Sequence, residues 1–250
     1  MQSFESDGVR IAYVDEGKGD PILLIHGFAS NVATNWRDAH WLSALAAASR
    51  RAVAYDNRGH GQSEKLYDPR RYGAPIMAED ALRLLDHLNI RRADVMGYSM
   101  GARIAVFLAL AHPERVRSLI LAGSGINLVR GMVGTGPIAR ALEAPRIEDV
   151  TNDTARSFRA FAEKTGSNLK ALAACMRGPR EKIGPEDLAR IAVPTLIATG
   201  SEDVIAGSGK ELNDLIPGAQ LLDIEGRDHM KAVGDPRFKQ GVLDFLTGRA

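Results

Sequence analysis

Residues 97–101, GYSMG, place one serine between two glycines at a point where the chain changes from strand to helix. A mostly apolar run at 93–96 precedes the stretch, and small residues at helical spacing follow it at 102–111. A turn with glycine on both flanks is too sharp to accept side chains there, and it exposes the serine oxygen. The stretch therefore predicts a strand–turn–helix unit with Ser99 at its tip.

The segments around this unit alternate between two periodicities. Apolar runs typical of strands occur at 22–25, 52–55, 116–122 and 195–198, with a half-exposed strand at 9–14. Helical patterns occur at 42–48, 78–88, 102–111, 209–215 and 238–246. Alternation of strands and helices in one chain predicts an α/β fold, a mostly parallel sheet flanked by helices.

The alternation stops in residues 125–192, which show only short helical patterns between glycines and prolines. We expect residues 1–124 and 193–250 to form the α/β core and residues 125–192 to form an inserted helical cap. Five glycines between positions 123 and 136 make the entry to this insertion easy to bend. The sequence thus predicts a lid attached through a hinge.

Composition narrows the class of protein. The chain has 250 residues and a formal net charge of +1, so no strong field favours nucleic acid. Cys175 is the single cysteine, which excludes an intramolecular disulfide and a cysteine-rich metal site. No apolar stretch is long enough to cross a membrane, and the N-terminus lacks a signal-peptide pattern. We expect a cytoplasmic protein that binds a small molecule, with no metal, cofactor, nucleic acid or membrane; the oligomeric state stays open.

A serine nucleophile needs a general base and an acid that orients the base. His229 follows a predicted strand at 219–224, so it lies at the carboxyl edge of the sheet, where ligands bind. The strand after the serine helix ends without a carboxylate, whereas the next one ends in Glu202 and Asp203. We expect Glu202 to face solvent and Asp203 to serve as the acid. The predicted catalytic residues are Ser99, Asp203 and His229.

Attack on a carbonyl also needs hydrogen-bond donors for the oxyanion. Met100 opens the helix after Ser99, and its backbone N–H has no partner within that helix. The second donor is expected from the glycine-bearing loop that follows the strand at 22–25, where Phe28 is the best placed residue. Phe28 and Met100 are therefore the predicted oxyanion-hole donors.

With these pieces in this order, the chain resembles the α/β-hydrolase superfamily over about residues 1–124 and 193–248. It looks like the small esterase, lactonase and cofactor-free haloperoxidase-like members. The pieces that match are residues 26–28, residues 55–63, the GYSMG stretch, Asp203 and His229. One departure is that relatives often carry a proline soon after the acid, which this chain lacks.

The resemblance implies a serine hydrolase that cleaves a small carboxylic ester or lactone through an acyl-enzyme. Haloalkane dehalogenases and epoxide hydrolases are excluded, because they carry aspartate at the position of Ser99. Carbon–carbon bond hydrolases keep the serine and stay open as an alternative. A ligand receptor or signalling regulator of the same fold with slow turnover also stays open, because a triad alone does not prove turnover.

An apolar helical cap favours a small hydrophobic acyl or lactone substrate. The candidate substrate-binding residues are His26, Tyr98, Leu128, Met132, Phe158 and Met230. The apolar cap residues could instead form the core of the cap itself.

Overall fold

A computed structural model describes residues 1–131 and 134–248. The strands of this part of the chain are β1 (Gln2–Ser6), β2 (Val9–Glu16), β3 (Asp20–Ile25), β4 (Arg50–Tyr55), β5 (Ala93–Tyr98), β6 (Val116–Ala122), β7 (Thr195–Gly200) and β8 (Gln220–Ile224). They form one sheet in the order β1-β2-β4-β3-β5-β6-β7-β8. β1 and β2 pair antiparallel to their neighbours and the other strands run parallel, so the sheet is mostly parallel as predicted.

The strand order places two loops beside each other at the carboxyl edge. β3 lies between β4 and β5, so the chain crosses from β3 to β4 on one side and returns to β5 on the other. Connections that leave neighbouring strands in opposite directions open a crevice at their carboxyl ends. The loop after β3, which contains Phe28, and the turn after β5, which contains Ser99, border this crevice.

Helices cover both faces of the sheet. The helices of the described residues are α1 (Trp41–Ala47), α2 (Ala74–His87), α3 (Met100–Ala111), α4 (Asn127–Arg130), α5 (Thr135–Glu143), α6 (Asp153–Lys164), α7 (Leu169–Arg177), α8 (Pro185–Leu188), α9 (Gly209–Asn213) and α10 (Pro236–Thr247). α2 and α3 pack on one face, and α1 and α10 on the other, each against its own apolar cluster. Burial on both faces explains the continuous apolar runs of the central strands.

Between β6 and β7 the described residues form α4 to α8 and no strand. α5, α6 and α7 pack around a separate apolar cluster that includes Ile138, Leu142 and Leu172. Ala29, from the loop after β3, is also buried in this cluster and joins the helices to the sheet. A cluster of their own supports the proposal of a cap for α5, α6 and α7, whereas Leu128 of α4 and Leu188 of α8 pack in the cluster of α2 and α3.

Across the described residues, each helix is too short or too polar to span a lipid bilayer.

Candidate active site

The turn between β5 and α3 has a backbone that only its flanking glycines permit. Ser99 has φ 55° and ψ −112°, outside the regions that L-residues favour. A side chain at Gly97 would overlap the carbonyl of Gly101, and one at Gly101 would overlap the carbonyl of Ile25 in β3. Such a conformation costs about 1–3 kcal/mol and persists only when its surroundings enforce it. The strained turn holds Ser99 above the carboxyl end of the sheet.

Gly101→Ala should lower the free energy of unfolding by about 1–3 kcal/mol, because the added methyl group must displace the backbone of β3. Urea unfolding measures this change. Gly136→Ala is the matched control, since its methyl would meet only the flexible end of Arg140, at 3.4 Å, within α5. Equal stability of the Gly101→Ala protein and the parent would contradict the packing argument.

Three side chains from different loops form a chain of hydrogen bonds at this edge. His229, in the loop after β8, has its Nε2 2.9 Å from Ser99 Oγ. Its Nδ1 lies 2.7 Å from Oδ2 of Asp203, in the turn after β7. The other oxygen of Asp203 accepts the backbone N–H groups of Ile205 at 3.0 Å and Ala206 at 2.8 Å. Both carboxylate oxygens are thus fixed, which aims Asp203 at the histidine.

Two residues beside Ser99 have backbone N–H groups without a hydrogen-bond partner in the described part of the chain. Phe28, Ser99 and Met100 all line one cavity, and the loop after β3 packs against Ser99. Within the described residues, neither the N–H of Phe28 nor that of Met100 takes part in a hydrogen bond. The N-terminus of α3 adds a partial positive charge at this point. The two donors are free to bind an oxygen that carries negative charge.

His26 bonds to the loop after β3 and does not line the cavity. It is fully buried, its Nδ1–H donates to the carbonyl of Gly27 at 2.7 Å, and its Nε2 accepts the N–H of Asn57 at 2.9 Å. Burial lowers the pKa of His26 to about 4. Burial, followed by the proximity of His26, lowers the pKa of His60 to about 3. Both rings are therefore neutral at pH 7.

Because these two histidines are buried in the neutral form, we expect the free energy of unfolding to fall in mild acid. Their folded pKa values, about 4 and about 3, lie below the ordinary value of 6.5, so below pH 6.5 the unfolded chain binds protons that the folded chain does not. The free energy of unfolding should therefore fall as the pH decreases from about 6.5 toward 5, where carboxylates are still mostly ionised in both states. Urea unfolding at pH 7.5 and pH 5 measures the difference.

His40→Asn is the control for this effect, because His40 is exposed and has φ 60°, which asparagine tolerates. It should retain the full pH dependence. The same unfolding midpoint at pH 7.5 and pH 5 would contradict the prediction that the buried histidines destabilise the fold in mild acid.

The cavity beside Ser99 has a volume of about 460 Å³. Leu128 and Phe158, two of the predicted substrate-binding residues, line this cavity, and so do Val129 and Met176. Met132 lies outside the described residues. Phe161 and Leu172 pack in the apolar cluster of α5, α6 and α7.

Three predicted substrate-binding residues do not line this cavity. His26 is buried against the loop after β3, as described above. The hydroxyl of Tyr98 donates to the backbone carbonyl of His229 at 2.7 Å, so the buried ring supports the loop of the histidine. Met230 is half exposed and is not among the residues that line the cavity. All three lie within two residues of a predicted site residue, and proximity in sequence alone does not decide which way a side chain turns.

Two basic residues of the cavity wall, Arg103 and Arg180, are absent from the sequence prediction. Arg103 lies four residues after Ser99 on α3, and this spacing places both on one face of the helix. That signal could have identified Arg103. Within the described residues no group of three or more histidine, cysteine, aspartate or glutamate side chains is arranged to hold a metal ion.

Comparisons with known proteins agree with this architecture. Residues 20–137 match the family described as alpha/beta hydrolase fold. 2-Hydroxymuconate semialdehyde hydrolase of Pseudomonas sp. (strain CF600) is 33% identical over 260 residues, which cover 96% of this chain and 91% of the relative. A non-heme chloroperoxidase of Kitasatospora aureofaciens is 29% identical, with 96% of this chain and 97% of the relative covered. The solved structure of an N-acyl homoserine lactone degrading enzyme has a TM-score of 0.75 at 26% identity, with 100% of both chains covered. The chain belongs to the α/β-hydrolase fold family.

Proposed function

We propose that the protein is a serine hydrolase that cleaves a small carboxylic ester or lactone through an acyl-enzyme. The observation that carries the proposal is the pair of hydrogen bonds that joins Ser99 Oγ to His229 and His229 to Asp203, at 2.9 and 2.7 Å. A hydroxyl with a general base in hydrogen-bond reach, itself oriented by a carboxylate, is the arrangement that activates serine.

In the proposed first step, Ser99 Oγ attacks the substrate carbonyl while its proton moves to Nε2 of His229. The N–H groups of Phe28 and Met100 then stabilise the oxyanion of the tetrahedral intermediate, since each lacks another partner within the described residues. Asp203 holds the proton on Nδ1 of His229 and stabilises the charged imidazolium. Collapse of the intermediate breaks the bond to the leaving group, which takes the proton from His229.

In the proposed second step, His229 removes a proton from water, and the hydroxide attacks the acyl carbon on Ser99. The same donors stabilise the second oxyanion, and Ser99 leaves with a proton returned by His229. Neutral His229 is required at the start of both steps. Serine, histidine and the backbone donors carry every bond change in this scheme, so it assigns no step to a metal ion or organic cofactor.

A carbon–carbon bond hydrolase is the second candidate. The observation in its favour is the 33% identity to a 2-hydroxymuconate semialdehyde hydrolase over nearly the whole chain. The same three side chains and oxyanion donors would serve either reaction, so the two differ in the substrate that the cavity selects. The name of the lactone-degrading relative supports the ester or lactone reaction in the same way.

Repeated turnover separates a hydrolase from a receptor of the same fold. We expect para-nitrophenyl esters of short acids, or lactones, to be hydrolysed for many cycles, whereas a receptor would stop after about one event per site. A fluorophosphonate should label Ser99 once and abolish this activity. The exposed Ser43, on α1, is the control, since Ser43→Ala should be labelled like the parent. Labelling that survives in Ser99→Ala would contradict the proposal.

A further inference from the structure

The wall of the cavity is basic. Among the described residues that line it are Arg103, Arg130, Arg180 and Lys182, and no aspartate or glutamate. Arg130 is neutralised by Glu211, with Nη2 2.6 Å from Oε2. The other three make no ion pair in the described part of the chain. A cavity whose lining residues carry positive charges and no negative ones favours an anionic ligand.

Arg103 is held close to the reaction centre. It lies one helical turn after Ser99, and its side chain is partly buried. Its guanidinium donates to the carbonyl of Leu128 at 3.0 Å and to that of Glu181. Burial, and then the positive charge of Arg180, lower the pKa of Arg103, while Glu181 acts in the opposite direction. A guanidinium has five N–H donors, and the carbonyls of Leu128 and Glu181 accept from only part of those of Arg103.

Arg180 reaches the same cavity from the segment that follows α7. Its Nη2 lies 2.9 Å from Sδ of Met176 and 3.4 Å from the carbonyl of Met176. A thioether is a weak acceptor, so most of the hydrogen-bonding capacity of Arg180 is unused within the described residues. The side chain is exposed at the rim of the cavity and is close enough to Arg103 for the two charges to repel. An anion between the two guanidinium groups would relieve that repulsion.

We propose that the substrate carries a carboxylate, which Arg103 and Arg180 bind while its ester or lactone carbonyl lies at Ser99. This inference rests on the proposed hydrolase function and specifies the class of its substrate. A guanidinium is planar and matches the two oxygens of a carboxylate with paired N–H groups. The remaining wall, which includes Met77, Ile104 and Phe158, is apolar. The substrate is therefore a small hydrophobic monoanion with a short chain between its charge and its reactive carbonyl.

Arg180 is the better position for the test. Arg103 bonds to carbonyls of residues 128 and 181, so it also joins the two ends of the cap segment to α3. Loss of Arg103 would disturb packing as well as charge. Arg180→Gln removes the charge and keeps a donor for Met176. Arg177→Gln is the matched control, because Arg177 ends α7, pairs with Glu143 and does not line the cavity.

The test compares kcat/KM for two pairs of esters of similar size. In the first pair, para-nitrophenyl hemiadipate carries a carboxylate in its acyl group and para-nitrophenyl heptanoate is neutral. In the second pair, meta-acetoxybenzoate carries a carboxylate in its leaving group and phenyl acetate is neutral. We expect the parent protein to prefer the anion in at least one pair. In Arg180→Gln that preference should fall by about 10- to 100-fold, mainly through KM. Arg177→Gln should keep it, and added salt should weaken it.

A second measurement does not need turnover. Adipate should bind the parent at least about 10-fold more tightly than it binds Arg180→Gln in a calorimetric titration. Hydrolysis of neutral esters without a preference for anions, together with equal adipate binding, would overturn the carboxylate site and leave the hydrolase proposal standing. Adipate binding that depends on Arg180, without hydrolysis of any ester, would support the site and overturn the hydrolase proposal.

Discussion

Ser99→Ala is expected to lower kcat for an ester by up to about 10⁶-fold while the protein remains folded. The alanine removes the oxygen that lies 2.9 Å from His229, and neither the histidine nor the oxyanion donors can form an acyl-enzyme without it. The substituted side chain is smaller and lies beside a cavity, so the sheet and its apolar clusters should not change. Steady-state kinetics measure the loss, and circular dichroism with urea unfolding checks the fold.

The surface variant Ser43→Ala serves as the control for this substitution and should match the parent in both kinetics and stability. Residual activity in Ser99→Ala above about a thousandth of the parent rate would point to another nucleophile. Because contaminating host esterases can imitate residual activity, the fluorophosphonate label should be followed in the same samples.

Asp203→Asn is expected to lower kcat by up to about 10⁴-fold. In Asp203 one oxygen accepts the N–H groups of Ile205 and Ala206, so an asparagine would keep its oxygen there. Its NH₂ group would then face Nδ1 of His229, which would have to become an acceptor. The ring proton would move to Nε2, and the histidine could no longer accept the proton of Ser99.

Glu202→Gln is the matched control, since Glu202 is the adjacent carboxylate and its side chain is exposed. This variant should retain activity close to that of the parent. A larger loss in Glu202→Gln than in Asp203→Asn would assign the acid to the neighbouring residue. A pH profile of each variant separates a change of tautomer from a general loss of structure.

The sheet and the positions of the three hydrogen-bonded side chains were accessible from sequence for a physical reason. Parallel strands that are buried on both faces have continuous apolar sequences, and their carboxyl ends meet at one edge of the sheet. Ser99 and Asp203 each follow such a strand, and His229 follows the parallel edge strand β8, so their proximity could be predicted without knowing any side-chain contact. β1 (Gln2–Ser6) was missed because it is an edge strand with mostly exposed residues.

The cavity wall could not be predicted in the same way. Arg180 follows a helix in a segment without strand signals, and its place beside Arg103 depends on how the cap helices pack against the loop after β3. No local pattern encodes that packing. The contact of the Tyr98 hydroxyl with His229 could not be predicted either, because adjacency to Ser99 in sequence says nothing about which way the ring turns.

The hydrogen bond from the Tyr98 hydroxyl to the carbonyl of His229 links two parts of the machinery that are distant in sequence. Tyr98 ends the central strand β5 and immediately precedes Ser99, so the loop of the proposed base is fastened to the element that carries the proposed nucleophile. Thermal motion should therefore displace both groups together and preserve their separation. The loop that contains His229 should therefore not unfold before the sheet does. Loss of activity on heating should coincide with melting of the central sheet.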